Sequence, residues 1–309
     1  MRWMSCIALW VGLVCCAPAL AQTRQAAPPD PEQLASQAVI RKLNAYVGLL
    51  NRTLRASESL SRYASWVNPK TGPTGRERII YGLYSLYDVR GEIEKATAAM
   101  DAEPAMPDLD AAMKTYIAAY TVLAPTINEA DGYYERQDYK VDKMAEGKAL
   151  HAKLASAGPA FLAERAKVDA LFAEEKAKSD VTELAMIEKR EGRKARWHVS
   201  NVMIQARKIV DRLPDGDKPV VDMAAFDAAL TAYGAAVKDM DGYGAANPGS
   251  FFVFESQPRS LLGKLREFRD KLARAKGDAR RAGASDLTWI VNDYNMMVST
   301  SRTATQFSR

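Results

Sequence analysis

The densest run of polar and aromatic side chains in this chain is Tyr133-Tyr134-Glu135-Arg136-Gln137-Asp138-Tyr139-Lys140-Val141-Asp142-Lys143, followed by His151. On a continuous helix Glu135, Asp138 and Asp142 lie three and four residues apart and share one face. Three carboxylates on one face could hold a hard cation such as calcium, which takes several oxygen ligands. Arg136, Lys140 and Lys143 are interleaved with them, however, and the glycine-containing loop of a calcium hand is absent. The alternative is a salt-bridged helix junction whose tyrosines pack inward. If the cluster binds a small molecule or cation, its residues are Tyr133, Glu135, Asp138, Asp142 and His151.

Other chemistry is poorly represented. The two histidines, His151 and His198, sit in no His-x-x-Glu or His-Glu-x-x-His arrangement, so a zinc site would need mostly carboxylate ligands. No Gly-x-Ser-x-Gly elbow presents a nucleophile, and no phosphate-cradling or dinucleotide glycine loop is present. The sequence therefore gives no cofactor and reads as a binding protein rather than an enzyme.

A second candidate is the irregular segment 241–257, whose centre, Phe251-Phe252-Val253-Phe254, holds three of the eight phenylalanines. Such a loop either plugs the end of a bundle or offers Phe251, Phe252 and Phe254 as an apolar docking edge. The following stretch, Arg259 to Arg281, carries nine basic residues against Glu267, Asp270 and Asp278. Asp101 to Asp142 is its converse, with nine carboxylates and three basic residues. The two stretches are either complementary solvated helix faces or, for the basic one, a surface for anions such as lipid headgroups, with Arg259 and Arg266 as contacts. The formal net charge of +5 is far from that of a nucleic-acid binder.

These residues must be positioned by helices. Arg2, the apolar run Cys6 to Ala17 and the small-residue pattern Pro18-Ala19-Leu20-Ala21 read as a secretory signal peptide cut after Ala21. All three cysteines (Cys6, Cys15, Cys16) fall inside it, so the exported chain would have neither disulfide nor thiol. Lipid attachment at Cys15 or Cys16 is the alternative. Val14 and Cys15 are not the small preceding residue a lipobox wants, which favours the alanine site. The expected location is periplasmic or secreted. No later segment approaches eighteen consecutive apolar residues, so no transmembrane span is expected after cleavage.

Residues 22–31 read as a linker, and 32–309 as one all-α domain. Helical spacing of apolar residues predicts helices over about 32–67, 76–102 and 108–134, the last capped by Asp108 and kinked at Pro125. Two or three long helices follow over 141–213, interrupted at Gly158-Pro159. After a turn at 214–219 come helices over about 222–239 and 258–276, and a last one from a Ser285 cap. Helices of this length imply an elongated bundle. Leu109-Asp110-Ala-Ala…Tyr116 is echoed by Phe226-Asp227-Ala-Ala…Tyr233, and Asn44-Ala-Tyr46 by Asn292-Asp-Tyr294. As a duplication, the echo predicts similar lobes at about 32–140 and 200–309, joined by helices over 141–199.

Asn44-Ala-Tyr46 with Asn51, the Leu109-Asp-Ala-Ala…Tyr116 helix, and Tyr133-Tyr134…Asp138-Tyr139-Lys140-Val141-Asp142-Lys143…Gly147-Lys148…His151 resemble the YiiG-like family of bacterial envelope proteins, built on a domain of unknown function. The resemblance covers about residues 38 to 300, and the tyrosine–aspartate–lysine motif is its most specific part. Several members resemble lipoproteins, from which this chain departs in lacking a lipobox. The resemblance implies an envelope location and supplies no catalytic residue. The expectation is an envelope interaction module that meets another envelope protein or an anionic envelope surface. The alternative is a small-molecule or cation binder using the Tyr133–His151 cluster.

Overall fold

The computed structural model describes residues 30–213 and 220–307. The expected signal peptide, most of the linker and the 214–219 turn lie outside the described residues. The described chain is all-α: α1 (Pro31–Ala64), α2 (Arg90–Met100), α3 (Pro107–Glu135), α4 (Tyr139–Asp142), α5 (Ala145–Glu191), α6 (Ala195–Val210), α7 (Met223–Ala246), α8 (Ser256–Arg274) and α9 (Ala279–Phe307), with a 3-10 turn at Phe252–Phe254. Two isolated bridges, Asn68–Gly72 and Val220–Asp278, are the β-type pairings among the described residues. None of the described helices is long and apolar enough to cross a membrane.

Local chemistry sets the starts of α1 and α7. Asp30 accepts a hydrogen bond from the Glu32 N–H at 3.1 Å and Pro31 opens α1, so the last two residues of the expected linker belong to its cap. Asp222 caps α7 through the N–H groups of Ala224 and Ala225. Asp108 is not the cap of α3. That helix starts at Pro107, and Asp110 from its first turn accepts the Met106 N–H at 2.9 Å.

Buried apolar residues form two clusters. The first joins α1, α2, α3 and the amino-terminal half of α5 around Tyr46, Met113, Tyr116, Tyr133 and Phe161. The second joins α6, α7, α8 and α9 around Phe226, Tyr233, Phe254 and Phe268. α5, with 47 residues and thus about 70 Å of length, runs on beyond the first cluster to meet the start of α1. There Lys189 pairs with Glu32 at 2.8 Å, and Arg190 donates to Gln33 at 3.1 Å. Pro159 lies inside α5 without ending it, and Gly158 lets Leu60 of α1 approach closely. Pro125 likewise lies inside a continuous α3.

Three expectations are corrected. Residues 76–89 are not helical, and α2 begins only at Arg90. Ile79, Leu83 and Leu86 have helical spacing, yet Ile79 is exposed and only Leu83 is buried, because this stretch lies as an extended strap along α1. Its backbone polar groups are met by side chains: Ser59 with Tyr84, Arg62 and Trp66 donating to the Tyr81 and Gly82 carbonyls, and Asn128 accepting the Leu86 N–H. Gly82, at φ +66°, sits where a Cβ would come 3.2 Å from the Tyr134 Cβ. Second, α7 extends to Ala246, so the irregular segment shrinks to 247–255. Third, a short helical turn over 279–282 precedes the expected last helix, separated from it by non-helical backbone at Gly283 (φ +135°).

The echoed motifs lie on α3 and α7, and Tyr116 and Tyr233 are both fully buried. Their surroundings differ. Asp110 meets Lys42 and Tyr46 of α1, whereas Asp227 holds Arg269 of α8 at 2.9 Å. Tyr116 hydrogen-bonds Thr53 and Arg165, and Tyr233 donates to the Pro258 carbonyl.

Lys42 is 2% exposed, and its ammonium donates to Asp110 at 2.8 Å and to the carbonyls of Ala102 and Pro104 at 3.0 and 3.1 Å. Tyr46 donates to the other Asp110 oxygen at 2.5 Å. Removing one partner strands a buried charge. Asp110→Ala is expected to lower unfolding stability by about 3 kcal/mol in urea titrations, and Lys42→Met/Asp110→Leu to recover most of that loss.

Candidate functional site

The Tyr133–His151 residues come together at a four-way junction of the ends of α1 and α3, the start of α5 and the strap. α3 stops at Glu135, and Gln137, Lys143 and Met144 all have positive φ, so the helix does not continue through this segment. This turn separates the three carboxylates that helical spacing would align. Glu135 is exposed, Asp138 is held by Arg136 at 2.7 Å, and Asp142 turns inward. Asp142 accepts from the Tyr133 hydroxyl and the Met144 and Glu146 N–H groups at 2.8–2.9 Å, tying α3 to the cap of α5. Partial burial would raise its carboxyl pKa, but these donors outweigh that and hold it below the usual range. His151 shares a hydrogen bond with Tyr63 at 3.1 Å and faces no carboxylate ligand set. Among the described residues no three His, Cys, Asp or Glu side chains converge to hold a metal ion.

The junction is a packed aromatic cluster. Tyr63, Trp66, Tyr133, Tyr134 and Tyr139 stack with ring centroids 5.0–6.5 Å apart. Burial pushes the Tyr63 phenol up to about 12 and raises those of Tyr133 and Tyr134 as well, so all three stay neutral hydrogen-bonding groups at ordinary pH. The arrangement joins four chain segments through packed aromatic rings.

The phenylalanine segment divides. Phe251 and Phe254 are buried in the second core, Phe251 against Tyr243 and His198, whereas Phe252 is 86% exposed at a positive φ. The segment closes the end of the second core, and the docking edge reduces to Phe252. Arg259 is paired with Asp241 and Glu255, and Arg266 is exposed beside Gly234. Much of the basic helix is neutralised by partners on α7 and α9: Lys264 meets Asp293, Arg269 meets Asp227 and Lys271 meets Asp286.

Two features were not found by sequence reasoning. The first is on the strap, where Tyr81 and Tyr87 are 48% and 51% exposed and Tyr84 is half-buried between them. Arg55 and Arg62 of α1 lie 3.9 and 4.3 Å from the Tyr84 ring centroid, and Arg52 lies 5.3 Å from that of Tyr87. The result is an outward-facing ladder of tyrosines and arginines. The second is a cleft of about 270 Å³ between α5, α6 and α9, floored by Leu184, Val199 and Met203. At its rim the buried Asp180 carboxylate is met by both Lys176 and Arg207. Burial and the neighbouring Arg207 lower the Lys176 ammonium to about 8. The repeat of tyrosines at 81, 84 and 87 was a readable signal for the first feature. Nothing local signals the second, whose residues are scattered over three helices.

The described residues define the class by architecture: an all-α protein with two helical cores. The particular family follows from comparison. The model for the family described as protein of unknown function (DUF3829) matches residues 37–304, and the chain belongs to that family. The uncharacterized protein YiiG of Escherichia coli (strain K12) is 29% identical over 293 residues, covering 89% of this chain and 82% of YiiG. No solved structure matches the chain.

A methyl group at Gly147 would lie 2.6 Å from the Met144 sulfur and 3.1 Å from both Tyr133 Cε1 and the Tyr134 oxygen. Gly147→Ala is therefore expected to destabilise by about 1–3 kcal/mol, read by urea unfolding of both proteins. Lys176 supplies a pH signature of opposite character. Its folded pKa lies below its unfolded one, so the unfolded chain binds more protons between about 8 and the ordinary lysine value. Stability should rise with pH across that window, and Lys176→Met should flatten the rise in a series of melts from neutral to alkaline pH.

Proposed function

We propose that this protein is an exported, non-catalytic binding module of the bacterial envelope, and that its binding face is the Tyr81–Tyr84–Tyr87 strap with Arg52, Arg55 and Arg62. The observation that carries this reading is the ladder itself. Tyrosine and arginine dominate the energetic centres of protein interfaces. Here they are held in place before any partner arrives: Arg62 stacks on Tyr84 while donating to the Tyr81 carbonyl, and Trp66 donates to that of Gly82. Ordering these side chains in advance lowers the entropy cost of association. The signal-peptide pattern at residues 1–21 supports export, and the lack of a nucleophile elbow or cofactor loop supports binding over catalysis.

A second reading, binding of a small molecule, is favoured by the α5–α6–α9 cleft, with its apolar floor and charged rim. It replaces the Tyr133–His151 junction as the place for such a ligand. The two readings differ in what they lose: strap substitutions remove a protein partner, whereas Arg207→Ala removes a ligand-induced melting shift.

The test is crosslinking of the tagged protein in intact cells, with mass spectrometry of what it captures. Tyr81→Ser/Tyr87→Ser and Phe252→Ser would be run in parallel after circular dichroism confirms unchanged helicity. The expected outcome is a partner captured by wild type and by Phe252→Ser and lost from the strap variant. Capture undiminished in the strap variant would rule the strap out as the binding face.

A further inference from the structure

The corner between α8 and α9 gathers basic side chains that the preceding sites do not use. Lys271, Arg274, Lys276 and Arg281 line one open basin of about 550 Å³, with Ala275 and Ala282 between them. The carboxylates nearby are already engaged. Asp278 accepts the Arg280 and Arg281 N–H groups at 2.9 and 3.3 Å and meets the Arg281 guanidinium at 3.4 Å. Asp286 holds Lys271 at 2.7 Å. Arg274 and Lys276 are exposed and have no ion pair among the described residues. Lys271 and Arg274 also complement the carboxyl-end dipole of α8, and Lys276 and Arg281 lie beyond that helix.

The turn that carries these cations is fixed. The Gly277 N–H donates to Leu272 at 2.8 Å, the Asp278 N–H to Ala275 at 3.1 Å, and the Gly277 carbonyl accepts from Val221 at 2.9 Å. With its own N–H groups occupied, the turn offers an anion side-chain cations on a rigid base. Apolar side chains stand beside the basin. Val220, next to Gly277, is exposed, and Lys271 also lines an adjoining hollow of about 300 Å³ with Lys264, Phe268 and the 61%-exposed Trp289. Cations fringed by an exposed tryptophan match the boundary between lipid headgroups and acyl chains.

We propose that this corner is a phosphate-recognition site whose occupant is the phosphodiester headgroup of an anionic phospholipid, with Trp289 set into the surrounding interface. The open basin and its apolar rim favour a headgroup over a free ion, which would use neither. The site is separate from the strap and stands or falls without it.

The experiment is co-sedimentation of the purified protein with phosphatidylcholine vesicles made with and without phosphatidylglycerol, and a calorimetric titration with inorganic phosphate at constant ionic strength. Four proteins are compared: wild type, Arg274→Glu/Lys276→Glu, Trp289→Ser, and Lys148→Glu/Lys167→Glu, which makes the same charge change on the exposed face of α5. Each basic side chain at an anionic leaflet contributes roughly fivefold in affinity. The corner reversal should therefore weaken phosphatidylglycerol-dependent binding by on the order of twenty-fivefold or more, and Trp289→Ser should weaken it as well. The α5 variant should bind nearly as wild type does. Equal weakening by the two reversals would reduce the effect to net charge and overturn the site. Binding that ignores phosphatidylglycerol, or phosphate uptake without vesicle binding, would overturn the lipid assignment.

Discussion

Burying an ammonium group is tolerable only when every one of its protons has an acceptor, and Lys42 meets that condition with nothing to spare. Its three acceptors come from two places: the Ala102 and Pro104 carbonyls in the link between α2 and α3, and the Asp110 carboxylate in the first turn of α3. The same Asp110 that neutralises it also takes the Tyr46 hydroxyl and the Met106 N–H, which together start α3. The angle at which the chain leaves α2, the first turn of α3 and the register of α3 against α1 are thus fixed around one charge. Displacing any of these elements would leave a desolvated ion without its partner, a far larger penalty than the loss of a few apolar contacts.

The consequences run along α3 to its other end. With α3 set against α1, Tyr134 faces Tyr63 and Trp66, Tyr133 packs on Tyr134, and the strap closes over Tyr134 through Gly82. The strap has no backbone ladder of its own, so α1 and α3 must supply its hydrogen bonds through Ser59, Arg62, Trp66 and Asn128. The exposed Tyr–Arg ladder is therefore a product of the core beneath it. The second core reaches its closure by another route, with Phe251 and Phe254 filling its end and paired charges covering its outer helices.

The long helices were legible because their burial is one-sided. Val39, Leu43, Tyr46, Leu50 and Leu54 share helical spacing in α1, and all but the exposed Leu54 pack on or within the first core. The family was legible from the Tyr133–His151 motif, although the cation geometry that helical spacing suggested there was not realised. Positive φ at Gln137, Lys143 and Met144 breaks the helix that would have aligned the carboxylates, and none of the three is a glycine to announce it. The strap was misread for a related reason. Ile79, Leu83 and Leu86 imitate a helical stripe, while what holds these residues extended lies at positions 59, 62, 66 and 128, distant in sequence. Sites assembled from several helices, such as Asp180 with Arg207, leave no local trace at all.

The two cores divide the chain without interleaving: the first closes by Phe172 and the second opens at Ala195. Each can be completed from a contiguous stretch of sequence. A chain delivered amino end first could finish burying Tyr46, Tyr116 and Phe161 before Phe226 or Phe254 had emerged, as domains of larger proteins fold in turn during synthesis. α5 would then project from a finished core as a partly formed rod on which α6 can dock. Order of emergence, rather than any disulfide or metal, would be enough to keep the aromatic residues of one half from pairing with those of the other.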